Sequence, residues 1–242
     1  MPQTIETLDG ILAEIRSTFD ADFEPLQVDD ATLQVLGIRD MQRHIDKLIQ
    51  TKAIRDPLKD LPLWAKIWPG SIVLGRMLRK FDPKGKTLLE LGGGCGILGM
   101  IAARHGFARI VTSDVSRDAL RFAQANILRN NLQDRVSVRY LDVTDSGKTK
   151  LEPSVFDMIA ASEILYLDDL HRPIVKFLER HLAPGGKALF CTDMARLKPH
   201  FARMAAKTFT VTEGHVGLKG TDDSGKEERR VYSILILERN HA

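Results

Sequence analysis

A glycine-rich segment between two apolar runs constrains the fold of this chain more than any other feature. Residues 87–91, Thr-Leu-Leu-Glu-Leu, predict a short buried strand, and Gly-Gly-Gly-Cys-Gly follows at 92–96. The apolar residues 97–103 then predict a helix. A glycine turn between a strand and a helix lets a ligand approach the backbone, because no Cβ atoms stand in the way. Glu90, two residues before the first glycine, favours a small cationic ligand at this turn.

The same glycines also fit a second class of ligand. Positions 94–99 read Gly-x-Gly-x-x-Gly, the pattern of dinucleotide-binding turns. Asp114 lies about 20 residues further on, where that pattern requires a ribose-binding carboxylate. The glycine pattern alone therefore leaves two ligand classes open, and other parts of the chain must decide between them.

Composition narrows the class of protein. The chain has 242 residues, 43% of them hydrophobic, which is enough for one α/β domain with an extension, and its net charge of +3 is too small to indicate a nucleic-acid partner. We find neither a secretion leader nor an apolar run of the ~20 residues that a membrane span needs. Cys95, Cys191 and the seven histidines lack metal-ligand spacing, and so few cysteines indicate a reducing compartment. We expect a cytoplasmic protein without a membrane span, a metal or a nucleic-acid partner.

Apolar runs and helical patterns alternate from residue 61 onwards. Strands are predicted at 87–91, 110–113, 136–140, 158–161 and 188–191, and helices at 72–81, 96–104, 117–130 and 170–181. This alternation predicts an α/β fold with a doubly wound, mostly parallel sheet. The last two strands, at 209–212 with a possible continuation at 217–219 and at 231–237, are separated only by a polar loop from residue 219 to 228. They predict an antiparallel hairpin and bring the sheet to seven strands.

Residues 1–60 differ in pattern and predict a mainly helical N-terminal extension to a domain at 61–242. The first helix carries an apolar stripe formed by Ile5, Leu8, Leu12, Ile15 and Phe19. A second helix, at about 40–51, is predicted to turn Met41, Ile45, Leu48 and Ile49 inward, and short strands are possible at 26–28 and 33–36. The extension is either a packing and solubility element or a lid or substrate-recognition surface.

These features together resemble the class I, Rossmann-like methyltransferases that use S-adenosylmethionine. Residues 90–96 match their acidic-x-Gly-x-Gly-x-Gly motif, and Leu-Ala-Pro-Gly-Gly at 182–186 is similar to the turn before their fifth strand. That fold also ends in a hairpin with one reversed strand, whereas a dinucleotide oxidoreductase usually continues into a substrate domain. The resemblance implies S-adenosylmethionine as cofactor and disfavours NAD.

The resemblance also implies a set of cofactor-binding residues. They are Trp68, Glu90, Gly92, Gly94, Gly96, Asp114, Asp142 and Ser162. Glu90 is expected near the methionine end, Asp114 at both ribose hydroxyls, and Asp142, with Asp145 as a competitor, at the adenine amino group. Each carboxylate has a structural alternative: Glu90 as a support of the glycine turn, Asp114 as a helix cap and Asp142 as a turn cap.

The end of the fourth strand carries the information on the methyl acceptor. The Asn/Asp-Pro-Pro-Tyr motif, which is typical of enzymes that methylate base or glutamine amines, is absent. Instead, Glu163-x-x-Tyr166 resembles the motif of the seven-strand protein lysine methyltransferases, and Trp-Pro-Gly-Ser at 68–71 is similar to a segment of the same group. The resemblance implies a protein lysine as acceptor, with Glu163 and Tyr166 as the catalytic pair. Alternatives are a small-molecule N- or O-methyltransferase and a methyltransferase-like binding protein without turnover.

The chemistry of lysine limits what Glu163 can do. Free lysine has a pKa near 10.4, so that the neutral amine costs about 4.6 kcal/mol at pH 7. A nearby carboxylate raises this pKa further. Glu163 is therefore predicted to aim the amine rather than to deprotonate it, while Tyr166 lines the amine channel and stabilises the cation with its ring.

Overall fold

The computed structural model describes residues 6–51, 54, 61–145, 150–197, 199–221 and 227–239. Its elements in chain order are α1 (Leu8–Arg16), β1 (Ala21–Val28), β2 (Ala31–Ile38), α2 (Met41–Gln50), α3 (Pro69–Leu78), β3 (Thr87–Leu91), α4 (Ile97–His105), β4 (Arg109–Asp114), α5 (Arg117–Arg129), β5 (Val136–Tyr140), β6 (Phe156–Ser162), α6 (Asp168–His181), β7 (Leu182–Asp193), α7 (His200–Ala205), β8 (Phe209–Thr221) and β9 (Glu227–Arg239). Short 3₁₀ turns lie at Leu63–Ala65, Val143–Asp145 and Met194–Arg196. None of the helices in these ranges is long and apolar enough to cross a membrane.

The predicted seven-stranded sheet is confirmed. Its strand order is β5-β4-β3-β6-β7-β9-β8. The strands from β3 to β7 pair in parallel, and β9 runs antiparallel to both β7 and β8. The carboxyl ends of β3, β4 and β6 therefore meet at one edge of the sheet, where ligands of such folds bind.

Three of the strands, β7, β8 and β9, are longer than predicted. The turn at 182–186 lies inside β7, where it produces a shift in register: Phe156 pairs with Leu182, but Met158 pairs with Lys187. The terminal hairpin is longer than expected, because β8 and β9 stay paired as far as Thr221 and Glu227. The loop between them is correspondingly shorter, and its residues 222–226 lie outside the described residues.

Alternation along the central strand explains why helices cover both faces of the sheet. Successive side chains of a strand point to opposite faces. Leu88 of β3 belongs to one buried hydrophobic cluster and Leu89 to another. The first cluster includes α3, α4 and α5, and the second includes α6 and α7. Both faces of the sheet are therefore shielded from solvent, as the near-continuous apolar run of β3 predicts.

The N-terminal extension contains more strand than expected. The two short strands considered possible are full strands of eight residues each, paired along their whole length around Asp29 and Asp30. The inward orientation predicted for Ile49 is wrong, since this side chain is 58% exposed and α2 has no buried residue. Ile5 lies outside the described residues.

The extension shares its hydrophobic core with the sheet domain. Ile11 of α1 and Leu36 of β2 belong to the same buried cluster as Leu98 of α4. Two side-chain amides of α5 also bind the free edge of β2. Asn126 Oδ1 accepts a hydrogen bond from the backbone N–H of Leu36 at 2.7 Å, and Asn130 Oδ1 accepts one from that of Gln34 at 2.9 Å. The domain boundary near residue 60 stays a prediction.

Candidate active site

The glycine turn lies at the carboxyl end of β3 in a conformation that favours glycine. Gly92, Gly94 and Gly96 have φ angles of 62°, 53° and 76°. At Gly94 a Cβ atom would also lie 2.6 Å from the carbonyl oxygen of Trp64. The segment that leads into α3 therefore lies directly against the turn.

Glu90 supports the glycine turn from inside the protein. Its side chain is buried, with 2% exposure, and Oε2 accepts hydrogen bonds from the backbone N–H of Gly99 at 3.0 Å and from Thr112 Oγ1 at 2.8 Å. Burial raises the pKa of Glu90 to about 7, although these hydrogen bonds oppose the shift. These contacts match the structural alternative for this residue, and a contact with a cofactor stays a prediction.

Asp114 joins the end of β4 to the same turn. Its Oδ2 accepts a hydrogen bond from the backbone N–H of Gly94 at 2.9 Å, and its Oδ1 accepts one from that of Ser116 at 2.8 Å. Asp114 does not cap α5, since the Ser116 hydroxyl accepts the capping bond from Ala119. Burial raises the pKa of Asp114. Each carboxylate oxygen can accept a second hydrogen bond, so the residue retains capacity for a ligand.

Asp142 caps the 3₁₀ turn after β5. Its Oδ1 accepts hydrogen bonds from the backbone N–H of Thr144 at 2.8 Å and from Thr144 Oγ1 at 2.6 Å. Asp145, the competing residue, is exposed at the end of the same turn. The structure thus brings Asp142 to the expected edge of the sheet, with one oxygen already engaged.

Glu163 follows β6 in a backbone conformation that is rare for its type. Its φ angle is 57°, in the left-handed region, and its backbone N–H donates to the carbonyl of Cys191 at 2.9 Å. Its carboxylate accepts a hydrogen bond from the backbone N–H of Asp193 at 3.2 Å and pairs with Arg196 Nη2 at 3.0 Å. Burial raises the pKa of Glu163, and the neighbouring guanidinium opposes this shift. Strained residues of this kind concentrate at functional sites.

Arg196 was not found by the sequence analysis. Its guanidinium carbon lies 5.0 Å from the centre of the Trp68 ring, and the Trp68 indole N–H donates to the carbonyl of Leu63 at 3.0 Å. Its position in the sequence could have indicated a role at the site, because Arg196 comes three residues after the carboxyl end of β7. The ion pair with Glu163 and the ring contact place the guanidinium between a carboxylate and an indole.

The start of α3 lies against the residue that precedes Glu163. A Cβ atom on Gly70 would lie 2.5 Å from Ser162 Oγ and 3.2 Å from Glu163 Oε1. The hydroxyl of Ser162 is buried, and within the described part of the chain it has no hydrogen-bond partner. A buried hydroxyl of this kind is a candidate contact for a ligand or a water molecule.

Tyr166 and His171 lie on the loop after β6 and on the helix that follows it. Tyr166 is half-buried, and burial raises the pKa of its hydroxyl. The buried His171, which the sequence analysis did not single out, places its Nε2 atom 2.8 Å from the carbonyl oxygen of Leu165. This bond connects the loop that carries Glu163 and Tyr166 to α6.

Both cysteines are buried and free. Cys95 donates its thiol to the carbonyl of Trp64 at 3.4 Å, and burial raises its pKa to about 12. Burial also raises the pKa of Cys191. Neither thiol is prepared for nucleophilic attack. The described ranges contain no group of three or more His, Cys, Asp or Glu side chains that could hold a metal ion.

Comparison with known proteins decides between the classes that the glycine turn leaves open. A family model described as lysine methyltransferase matches residues 54–209, which is more than half of the chain. The chain belongs to this family. The match covers the Trp64 segment, the glycine turn and the loop with Glu163, so the site just described lies within the lysine methyltransferase family's shared region.

Individual relatives agree with this assignment. The chain is 31% identical over 163 residues to the protein N-lysine methyltransferase METTL21A of Danio rerio, covering 65% of this chain and 73% of that protein. It is 29% identical over 201 residues to METTL21A of Xenopus tropicalis, covering 77% of this chain and 89% of that protein. The solved structure of the SAM-dependent methyltransferase from Agrobacterium tumefaciens is 16% identical, with a TM-score of 0.60 and coverage of 90% and 70% of the two chains. Family and fold together imply that this lysine methyltransferase is an S-adenosylmethionine-dependent enzyme.

Proposed function

We propose that this lysine methyltransferase transfers the methyl group of S-adenosylmethionine to a lysine side chain of another protein. The observation that carries the proposal is the cation site formed by Glu163 and Trp68 at the edge of the sheet that bears the glycine turn. A buried carboxylate beside an indole ring is suited to an alkylammonium group. A Cβ atom on Gly70 would meet both Ser162 and Glu163, so the start of α3 lies close to both halves of the site.

The cofactor half of the site has the chemistry that S-adenosylmethionine requires. Asp114 can accept further hydrogen bonds from the ribose hydroxyls, and Asp142 has one oxygen available for the adenine amino group. The turn at 92–96 lets a ligand lie against the backbone, and the unpartnered hydroxyl of Ser162 is available to the methionine end. Glu90 acts in this proposal by holding the turn in place.

The acceptor half of the site must align an amine. When bound, S-adenosylmethionine would supply an electrophilic methyl group, with the amine nitrogen as its acceptor and the neutral thioether as leaving group. Glu163 and the Tyr166 ring hold and aim the amine, and its proton leaves to water before the attack. Alignment of this kind can lower the barrier by about 7–11 kcal/mol.

A labelling experiment tests the acceptor. The protein is incubated with methyl-labelled S-adenosylmethionine and a lysate of the source organism, and label is expected as methyl-lysine in a protein band. Glu163→Gln should reduce the label at least tenfold, while Glu152→Gln, at an exposed glutamate, should not. Label in small molecules only would assign a small-molecule acceptor instead. If the cofactor binds but no methyl group is transferred, the protein is a methyltransferase-like binding protein without turnover.

Calorimetry tests the cofactor. We expect S-adenosylhomocysteine to bind with micromolar affinity, in the ordinary range for enzyme ligands, and NAD not to bind. Binding of NAD without a response to the thioether would overturn the cofactor assignment. We also propose a cytoplasmic location, which the two buried free thiols support.

A further inference from the structure

We propose that the guanidinium of Arg196 occupies the position of the substrate ammonium group and is displaced by the incoming lysine. The proposal rests on the proposed function, since it assigns a placeholder to the acceptor site described there. It identifies Arg196 as the residue that determines which amines can enter.

Glu163 and Trp68 both contact the guanidinium of Arg196. Arg196 Nη2 lies 3.0 Å from Glu163 Oε2, Nε lies 3.3 Å from the same oxygen, and the guanidinium carbon lies 5.0 Å from the Trp68 ring centre. A carboxylate and a ring face are the two groups that would also hold an alkylammonium. The site therefore already contains a cation of the protein's own.

Arg196 lies nearer the protein surface than Glu163 does. The side chain of Arg196 is 34% exposed, whereas that of Glu163 is only 5% exposed. Solvent thus reaches part of the Arg196 side chain, whereas its Nη2 atom and the Glu163 carboxylate that it pairs with are both buried. An amine that approaches Glu163 must take the place that the guanidinium now fills.

Arg196 has a second carboxylate within reach. Its Nη2 atom lies 3.6 Å from Asp193 Oδ2, and Asp193 caps the short turn that carries Arg196. Displacement therefore does not require the guanidinium to enter solvent alone, because a small rotation transfers it from Glu163 to Asp193. Meanwhile the ammonium pairs with Glu163, so that this buried carboxylate is never left without a cation.

The exchange explains how a protein-borne lysine can be preferred over a free amine. A small amine gains little on binding and must still move the guanidinium. A lysine presented by a docked protein has the additional binding energy of that protein's surface to drive the exchange. Arg196 is thus a specificity-determining residue rather than a catalytic one.

The test measures cation binding without methyl transfer. n-Butylammonium, which has the lysine side chain's length and charge, is titrated by calorimetry into the wild-type protein and the variants Arg196→Ala, Arg196→Gln and Arg196→Lys. We expect the Ala and Gln variants to bind it at least tenfold more tightly than the wild type. Arg196→Lys, which keeps a cation at the site, should show no gain. Arg203→Ala, at an exposed arginine on α7, is the matched control.

A further variant locates the bound cation. Adding Glu163→Gln to Arg196→Gln should abolish the gain, since the carboxylate that holds the ammonium is then lost. If Arg196→Ala does not fold because Glu163 is left unpaired, Arg196→Gln still offers a hydrogen-bond donor to the carboxylate and carries the test.

Equal n-butylammonium affinity in wild type and Arg196→Gln would overturn the placeholder role, as would a gain that survives Glu163→Gln. This readout separates the two proposals. If the variants bind n-butylammonium more tightly but the protein never methylates lysine, the placeholder role of Arg196 stands and only the lysine acceptor is overturned. If lysine is methylated but the variants show no gain in affinity, the acceptor stands and the placeholder role is overturned.

Discussion

The carbonyl oxygen of Trp64 lies 2.6 Å from the point where a Cβ atom on Gly94 would stand. The glycine turn and the segment before α3 therefore pack so closely that no methyl group fits between them. This close approach predicts how the turn responds to substitution.

Gly94→Ala should destabilise the protein more than Gly85→Ala. Both glycines have positive φ angles, of 53° and 71°, so both variants should lose about 1–2 kcal/mol from the left-handed conformation. Only Gly94 has a backbone atom in the way, whereas a Cβ atom on Gly85 meets nothing within 4 Å. The clash should add about 1–3 kcal/mol, measured as the free energy of unfolding in urea. Equal losses in the two variants would contradict this fit.

Glu90 should make the protein less stable as the pH rises. Its pKa is raised from 4.5 to about 7 in the folded state, so the native state holds this proton more tightly than the unfolded state does. The free energy of unfolding should therefore fall between pH 4.5 and 7, by about 3 kcal/mol from this group. Urea titrations at pH 5 and pH 8 measure the loss. Glu90→Gln should remove this part of the pH dependence, and an unchanged slope would show that Glu90 titrates normally.

Asp114→Ala should weaken binding of S-adenosylhomocysteine by about 2–3 kcal/mol, because hydrogen bonds to a charged acceptor are lost. Ser116→Ala is the matched control. It removes the cap of α5 and should cost about 1 kcal/mol of stability, but it should leave the affinity within twofold. Calorimetry measures both. An Asp114→Ala protein with unchanged affinity would limit Asp114 to holding the turn.

His171→Phe should lower turnover at least tenfold while leaving the affinity for S-adenosylhomocysteine nearly intact. The substitution keeps an aromatic ring in the buried site but removes the bond to the Leu165 carbonyl, so the loop with Glu163 loses its tie to α6. His181→Phe is the control, because this histidine bonds the Ser154 carbonyl at the opposite end of the same helix. Similar turnover losses in both variants would indicate a general effect on α6.

Methyl transfer should accelerate as the pH rises above 7. The free amine is the nucleophile, and its fraction grows about tenfold per pH unit below the lysine pKa near 10.4. Initial rates with a saturating cofactor, at pH 7 to 9, test this. Glu163→Gln should lower the whole profile without changing its slope. A profile that is flat over this range would point to a slow step other than attack by the amine.

Most of the sheet could be predicted because its strands are short apolar runs that end at turn residues. The strand at 87–91 has the predicted bounds, since a glycine turn follows it directly. For the hairpin of β1 and β2, the sequence pattern predicts less strand than the structure contains. Its two-residue turn, Asp29 and Asp30, is a weaker hairpin signal than Asn-Gly, and Pro25 interrupts the pattern of β1.

The candidate site could be predicted only where residues adjoin a motif. Glu163 and Asp114 follow strands and could be located from the sequence alone. Arg196 contacts Glu163 from 33 residues further along the chain, and its position over Trp68 depends on three elements packing together. His171 bonds to the backbone carbonyl of Leu165. Since every residue has such a carbonyl, the sequence cannot indicate this partner.

The amide contacts between α5 and β2 limit which N-terminal extensions this core can carry. Four residues of helix rise about 6 Å and two residues of strand rise about 6.7 Å, so that Asn126 and Asn130 match the spacing of Leu36 and Gln34. Asn126 also donates its amide to the carbonyl of Cys95 at 3.0 Å, inside the glycine turn. A foreign extension grafted onto this core must therefore present a strand edge in the same register, or it will leave buried amides unpaired beside the turn. The outer strand β1 makes neither of these amide contacts, so its sequence can change without leaving the two asparagines unpaired.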